Sequence, residues 1–438
     1  MRRAAAHLIR GVVAAMLFSS TCWPDSPDGT APPAPDASVQ PVMPNPNLPE
    51  IPPERHWYEK LPFLPVPDIG HDPNSGLTAG ILPVWLKTDD QQHISRIIAP
   101  DLIYNPNFGV GADGRIFDYP SEDEQWSLAG GLKQHVERHA DGEYQLGRLR
   151  QENWSFVGSV IYDRSGSPRF FGFGNHSLER DQTNFTNQQQ LVQAQIGYNF
   201  THSWQLLYTA RLRAVDVLPG TLSGIPSIQV VFPKVPGLGT HYEQLNRLSI
   251  IYDTRDDLTA PRQGMAWVVY GGVASHEGLF NDSLYSEAGI DGRVFLPLND
   301  ANILATHASL RYLPSYSHPL PFWALSSIGG GESVVGGVQP LRGYGEGRFY
   351  DRNSFSATAE LRHTLFAFDA ISHVEIELAP FVDVGDVFHH ASSFPIQSVH
   401  KVAGVGFRAI ARPSVVGYVD VGYGSEGAAV FTGINYPF

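Results

Sequence analysis

The 438-residue chain carries 43 Gly, 34 Pro and 50 aromatic residues, and only 17% of it is charged, against roughly 25% in an ordinary soluble domain. No run of 18 or more apolar residues occurs, which excludes a helical membrane protein. The single cysteine, Cys22, excludes a disulfide framework and any Cys-based zinc or iron–sulfur centre. A net charge of −14, with five lysines among 30 basic residues, argues against a nucleic-acid partner. A large all-β protein without cofactor or metal is the class that remains.

In chain order, Arg2, Arg3 and Arg10 form a positive start, 11–18 a short apolar run, and Ser19, Ser20 and Thr21 a small-residue cleavage region. Residues 1–22 therefore read as a signal peptide for Sec export, since the twin arginines lack the rest of the twin-Arg pattern. Cys22 stands where a lipid-acceptor cysteine could, but the residue three before it is Ser19 where Leu is wanted. Cleavage without lipidation is therefore the favoured reading and lipidation the alternative. Eleven prolines between Pro24 and Pro53 remove donors and fix φ. Residues 23–74 are expected to form a disordered, extended periplasmic tether, with no folded domain before about residue 57.

From about residue 75 to the end the pattern has period two. Val192, Ala194, Ile196, Tyr198 and Phe200 alternate with Gln193, Gln195, Gly197 and Asn199, and Trp204, Leu206, Tyr208, Ala210 and Leu212 with polar neighbours. Apolar-out, polar-in alternation over about ten residues, repeated many times, is the signature of a transmembrane antiparallel β-barrel in the outer membrane of a Gram-negative cell. Strand segments fall near 76–87, 93–104, 109–119, 124–135, 141–150, 153–163, 189–200, 203–214, 242–254, 264–273, 284–296, 300–313, 353–366, 373–388, 400–411, 414–423 and 428–438. Single-chain bacterial barrels have even strand numbers. One segment before residue 165 is therefore surplus, and about 16 strands over 75–438 are expected. Tight turns at 201–203, 297–299 and 412–413 alternate with long loops at about 164–188, 215–241, 274–283, 314–352 and 389–399. The longest loop precedes the fifth-from-last strand. The chain ends on Phe438, with Tyr436, Ile434 and Val430 on the same strand face, an ending that resembles the signal read by barrel-assembly machinery.

The longest loop reads Gly-Gly-Val-Gln-Pro-Leu-Arg-Gly-Tyr over 336–344, then Gly347-Arg348-Phe349-Tyr350-Asp351-Arg352-Asn353, with Glu360-Leu361-Arg362 beyond it. The following strand carries Phe381-Val382-Asp383-Val384-Gly385. In these residues the chain resembles the BamA/TamA superfamily of outer-membrane insertases and the related two-partner secretion transporters. Their barrels share an Arg-Gly-Phe/Tyr loop tip and a Phe-x-Asp-x-Gly strand. The segment Tyr252-Asp253-Thr254-Arg255-Asp256 and the ending Gly433 to Phe438 are similar as well. The likeness is clear over 245–438 and holds in pattern over 75–245. It implies insertion or translocation of proteins at the outer membrane, with membrane lipid and an unfolded protein client as partners. Family insertases usually carry POTRA domains ahead of the barrel; the 74 residues before it point to a short branch without them.

Strand parity places Glu375, Glu377, Asp383 and Gly385 toward the lumen, along with Glu360 and Arg362, while Val382, Val384 and Leu361 face lipid. Arg342 supplies a planar, always-charged fork suited to carboxylates. Gly343 is expected to let the tip turn tightly and Tyr344 to anchor it. Alone, Arg342 would be an ordinary loop arginine and Asp383 an ordinary lumen charge. The motif context instead favours a loop folded into the barrel, with Arg342 locked to Asp383 and Glu360 as second partner. Losing one partner of a buried pair costs about 3–5 kcal/mol and of a solvated pair about 0–1, which suits an organiser of the loop.

Weaker signals remain. Gly329-Gly330-Gly331-Glu332 lacks the Gly-Lys-Ser/Thr of a phosphate loop and reads as loop flexibility. His389-His390 has no further ligand at metal spacing. Arg211, Arg213, Arg247, Arg255, Arg408 and Arg412 fit either an anion-selective lumen or pairing with lumen carboxylates. Phe170-Phe171-Gly172-Phe173-Gly174 reads as an aromatic surface patch on a loop. No Ser/His/Asp order or acid pair suggests an enzyme. The alternative to an insertase is a passive pore or structural barrel.

Overall fold

Alternating side chains put one face of every strand in lipid and the other in the lumen, so the chain has to form a sheet that curls until it encloses its polar face. The computed structural model describes residues 64–88, 94–121, 123–147, 149–258, 260–276, 284–331, 338–369, 373–390, 392, 399–411 and 415–434. Residues 1–63, including Cys22, and the terminal Tyr436 and Phe438 lie outside the described residues.

The first half contains β1 (Leu64–Asp72), β2 (Gly76–Thr88), β3 (Ile94–Ile98), β4 (Asp101–Asn105), β5 (Gly109–Ser121), β6 (Glu124–Lys133), β7 (Arg138–Leu146), β8 (Trp154–Ser165), β9 (Arg169–Phe170), β10 (Thr183–Asn199), β11 (Trp204–Pro219) and β12 (Gly239–Asp253). The second contains β13 (Gly264–Ser275), β14 (Leu284–Asn299), β15 (Asn302–Tyr312), β16 (Ser326–Ile328), β17 (Val338–Gln339), β18 (Phe349–Asp351), β19 (Asn353–Asp369), β20 (His373–Phe388), β21 (His400–Ala411), β22 (Val415–Gly424) and β23 (Gly427–Ile434). Each wall strand pairs antiparallel with the next, as Gln190↔Ala214 and Val382↔Ala403 illustrate. The chain closes on itself where β1 runs beside β23.

The sheet counts 20 strands. Strands β3 and β4 form one crossing broken at Ala99 and Pro100, and β9 is a two-residue strap on β10. That leaves eighteen wall crossings among the described residues, not 16. Each segment read from the sequence overlaps a wall strand, and the additional one is β1, inside the span assigned to the tether. Its prolines hid it. Pro65 stands opposite Pro83 on β2. In an antiparallel ladder a pair with no N–H on either side can only be a non-hydrogen-bonded pair. The nitrogens of Pro65 and Pro67, two residues apart, therefore both point away from β2 and leave its ladder intact.

Burial is inverted relative to a water-soluble protein. Val160, Val192, Leu248 and Ile250 are more than half exposed on the outer face, while Gln205, Thr209, Glu287 and Arg311 are buried inside. Aromatic side chains cluster at the tight-turn ends: Trp154 and Tyr198 meet edge-on at 5.0 Å, and Trp204 lies 4.6 Å from Tyr252, as in a membrane-interface girdle. Val192 stands on the apolar band beyond this girdle, opposite Leu212 and Val160. Val192→Arg is expected to destabilise the folded barrel by about 2–4 kcal/mol. Urea titration in liposomes checks it, and an unchanged midpoint would place this face in water.

At the other end the long connections fold together into a cap. Phe170, Phe185, Val215, Val217, Ile228 and Phe322 form its core, with Phe232, Trp323 and Tyr350 against them. Phe170 meets Phe322 at 5.0 Å and Phe232 at 5.1 Å. The aromatic run 170–174 is thus mostly interior: Phe170 and Phe171 are buried, and only Phe173 is substantially exposed. Phe170→Ala should cost the cap about 3–5 kcal/mol, read as faster cleavage of 215–241 by added protease while the wall strands stay protected.

Candidate functional site

The connection between β15 and β19 carries the small sheet β16–β18 and turns back into the barrel. Its tip is Leu341–Tyr344, closed by Tyr344 N–H donating to Leu341 O at 3.1 Å. The glycine run crosses this tip. Gly329 N–H donates to Gln339 O at 3.0 Å, Gly330 N–H to Tyr344 O at 3.1 Å, and Leu341 N–H to Gly330 O at 3.0 Å. Gly329 and Gly330 have φ of +122° and +98°, and a Cβ on Gly329 would lie 2.2 Å from Gly345 O. These glycines brace the tip by close backbone approach, which replaces the reading of 329–331 as flexible loop; Glu332 lies outside the described residues.

Arg342 points at the wall. Its Nε and Nη2 donate to the two oxygens of Asp383 at 3.0 and 2.9 Å, a bidentate fork, and its backbone N–H donates to Asp383 Oδ2 at 2.9 Å. Nη1 donates to Glu360 Oε2 at 2.8 Å and to Asp420 Oδ2 at 2.9 Å. One guanidinium therefore ties the loop to carboxylates on β19, β20 and β22. Two wall arginines complete the charge. Arg362 Nε donates to Glu360 at 2.9 Å, and Arg408 donates to Glu360 at 3.1 Å and to both oxygens of Asp420. Three cations face three anions, all six side chains fully shielded from solvent. Neutrality is what makes such burial tolerable: an isolated buried charge costs several kcal/mol.

The wall is also shaped for the loop. The Phe381 ring lies under the Arg342 guanidinium, 3.4 Å from Cζ to centroid, a cation–π contact in a dry setting. Gly404 leaves room for that ring, since a Cβ there would fall 2.3 Å from Phe381 Cζ. Gly385 sits beneath Ile328 and Leu341 of the loop. Gly343 does not adopt a left-handed φ. Its constraint is the wall, because a Cβ would stand 2.7 Å from Val402 Cγ2 and 2.8 Å from Gly424 N. Tyr344 is buried, and its hydroxyl lies 2.8 Å from Ser425 Oγ.

Arg342, Gly343, Tyr344, Glu360, Phe381, Asp383 and Gly385 thus come together in one place. Ile434 ends β23, opposite Gly417 of β22. Asp420 is the residue the sequence reading missed. A signal was present: Val382-Asp383-Val384-Gly385 recurs as Val419-Asp420-Val421-Gly422, with both aspartates facing the lumen. Other lumen arginines also hold carboxylates. Arg211 and Arg213 donate to Glu243 at 2.8 and 2.7 Å, Arg247 and Arg311 to Glu287 at 2.8 and 3.0 Å, and Arg255 to Asp253 at 2.8 Å. Arg412 lies outside the described residues. His389 pairs with Asp351 at 3.1 Å, and no group of three or more metal-capable side chains occurs among the described residues.

An apolar outer face, a charged and neutralised interior, and a loop bound inside define a transmembrane β-barrel with an occupied lumen. The family model of the Omp85 superfamily domain matches residues 125–411. The chain belongs to the Omp85 superfamily and is an integral outer-membrane barrel in contact with membrane lipid, as the loop and strand motifs implied. Among solved structures it is similar to BamA from Haemophilus ducreyi lacking POTRA domains 1-3, with 14% identity over 81% of this chain and 74% of that one, at a TM-score of 0.52. CdiB from Escherichia coli matches with 11% identity over 84% of this chain and 61% of that one, at a TM-score of 0.45. Wzi, an outer membrane protein involved in group 1 capsule assembly in Escherichia coli, matches with 9% identity over 85% and 81%, at a TM-score of 0.38. No curated protein sequence matches the chain.

Proposed function

We propose that this barrel takes part in inserting or translocating proteins at the outer membrane, with the inserted loop locked by Arg342 to the lumen carboxylates. An export segment over 1–22 and the proline-rich span ahead of β1 complete this reading, with barrel-assembly machinery acting on the chain's own C-terminal strand. The observation that carries it is the seam. Strand β1 lies beside β23, yet no hydrogen-bonded ladder joins them among the described residues. The edge of β1 turned to β23 also lacks donors at Pro65 and Pro67. A donor-poor strand at the seam makes it cheaper to open than an interior ladder, and an opened strand edge is a template for an extended client segment.

The test is a proteoliposome assay. Purified protein should accelerate folding of an unrelated outer-membrane barrel, and Arg342→Ala should abolish the acceleration. No acceleration, together with steady ion conductance, would replace this reading with a passive pore.

A further inference from the structure

We infer that Arg211 and Arg213, with Gln193 beside them, form a lumenal binding site for a soluble, phosphate-bearing oxoanion. The arginine cluster at the loop tip is balanced and closed, with three cations, three anions and no exposure. On β11 and β12 both the ratio and the access change. Arg211 Nη2 donates to Glu243 Oε1 at 2.8 Å and Arg213 Nη2 to Glu243 Oε2 at 2.7 Å. Two guanidiniums thus share one carboxylate, which also accepts the Tyr285 hydroxyl at 2.9 Å. Neither arginine meets a second carboxylate among the described residues. Glu287 of β14 is already taken, because Arg247 holds one of its oxygens and Arg311 the other. One positive charge is left over at Glu243, and it can be reached. The Arg211 and Arg213 side chains remain 20% and 14% exposed, while that of Glu243 is fully shielded.

The donors that remain suit a ligand with several oxygens. The Nε–H groups of Arg211 and Arg213 are both buried and have no hydrogen-bond partner among the described residues, a costly state for a donor. The Arg213 guanidinium lies against the Trp323 ring, 4.8 Å from Cζ to centroid, a cation–π contact that holds its plane. Gln193 stands directly opposite Arg211 in the β10–β11 ladder and so shares its lumen-facing side. It is half-buried, and its amide makes no hydrogen bond among the described residues. Side chains directly opposite each other start about 5 Å apart at Cβ, so this amide and the Arg211 guanidinium can meet on one ligand. Three donor groups from two strands match a tetrahedral oxoanion, which offers an oxygen to each. A halide offers a single point, and a planar carboxylate is satisfied by one guanidinium fork. The neighbours Val192 and Leu212 point outward into lipid, so the wall stands between this site and the membrane. The ligand therefore comes from the aqueous lumen and is not a lipid headgroup.

Calorimetric titration of the full chain in detergent with pyrophosphate, at an ionic strength held constant with chloride, tests the site. Wild type is expected to bind saturably, one pyrophosphate per chain. Arg211→Gln should weaken binding about tenfold or more. Without ligand it should melt as wild type does, because Glu243 keeps Arg213 and Tyr285. Arg211→Lys, which retains the charge and loses the fork, should recover only part of the affinity. Gln193→Leu lies outside the ion pairs and should weaken binding about fivefold, so it decides the matter if Arg211→Gln folds poorly. Absence of binding beyond the chloride control in wild type overturns the site. So does an affinity left unchanged by Gln193→Leu and Arg211→Gln, which would put the pyrophosphate elsewhere on the chain.

Discussion

Arg342→Ala is expected to release the inserted loop from the lumen and to cost the folded state about 3–5 kcal/mol. The direction follows from charge. Three arginines and three carboxylates are shielded together, and removing Arg342 leaves Asp383 with no other cation among the bonds described above. Glu360 and Asp420 keep Arg408, and Glu360 also keeps Arg362. Asp383 should therefore draw in water, and the tip keeps only its backbone N–H bond to Asp383, the Tyr344–Ser425 contact and its apolar packing. Limited proteolysis within 314–352 should become fast, along with lower thermal stability. Arg342→Lys should rescue little, because one ammonium cannot serve a bidentate aspartate and two further carboxylates at once. Asp383→Asn should resemble Arg342→Ala in protease sensitivity. A loop as resistant as wild type in both variants would sink the lock.

The second large effect comes from adding a single methyl group. Glycine in a strand interior is ordinarily a weakness, and replacement by alanine gains about 0.5–1 kcal/mol. Gly422→Ala should reverse that sign. The new Cβ would stand 2.1 Å from the Arg342 carbonyl oxygen and 2.7 Å from its carbon, both backbone atoms of a tip pinned by five side-chain and main-chain bonds. Overpacking of this kind costs about 1–3 kcal/mol. The loop must lift, which lengthens the Arg342–Asp420 contact first. Gly114→Ala is the matched control, because nothing lies within 4 Å of its Cβ position. Thermal melts in detergent, with proteolysis of the loop, should separate the two variants; equal melts would mean that the tip does not sit on β22.

How much of this was legible in the chain itself depends on the range over which each feature is decided. Period two, the inward parity of Glu360 and Asp383, the membrane-facing Val382, and the loop and strand motifs are local properties. A residue's side of a strand is set by its neighbours along the chain, so the sequence by itself determined a membrane barrel with a charged lumen and an arginine-tipped loop. The eighteenth strand was hidden because prolines in β1 look like loop chemistry until their register against Pro83 shows that no ladder bond is lost. Phe170 and Phe171 looked like a surface patch because the loops that cover them arrive from 215–241 and 314–352. Arg408 was visible as a lumen charge, whereas Asp420 was passed over although its strand repeats the Val-Asp-Val-Gly of Asp383. Their meeting with Arg342 depends on the curvature and stagger of β19–β22 and on the depth to which the loop descends. Those quantities bring together residues up to 78 positions apart, and only the tertiary structure decided them, since direct ion pairing at hydrogen-bond distance depends on where the backbones lie.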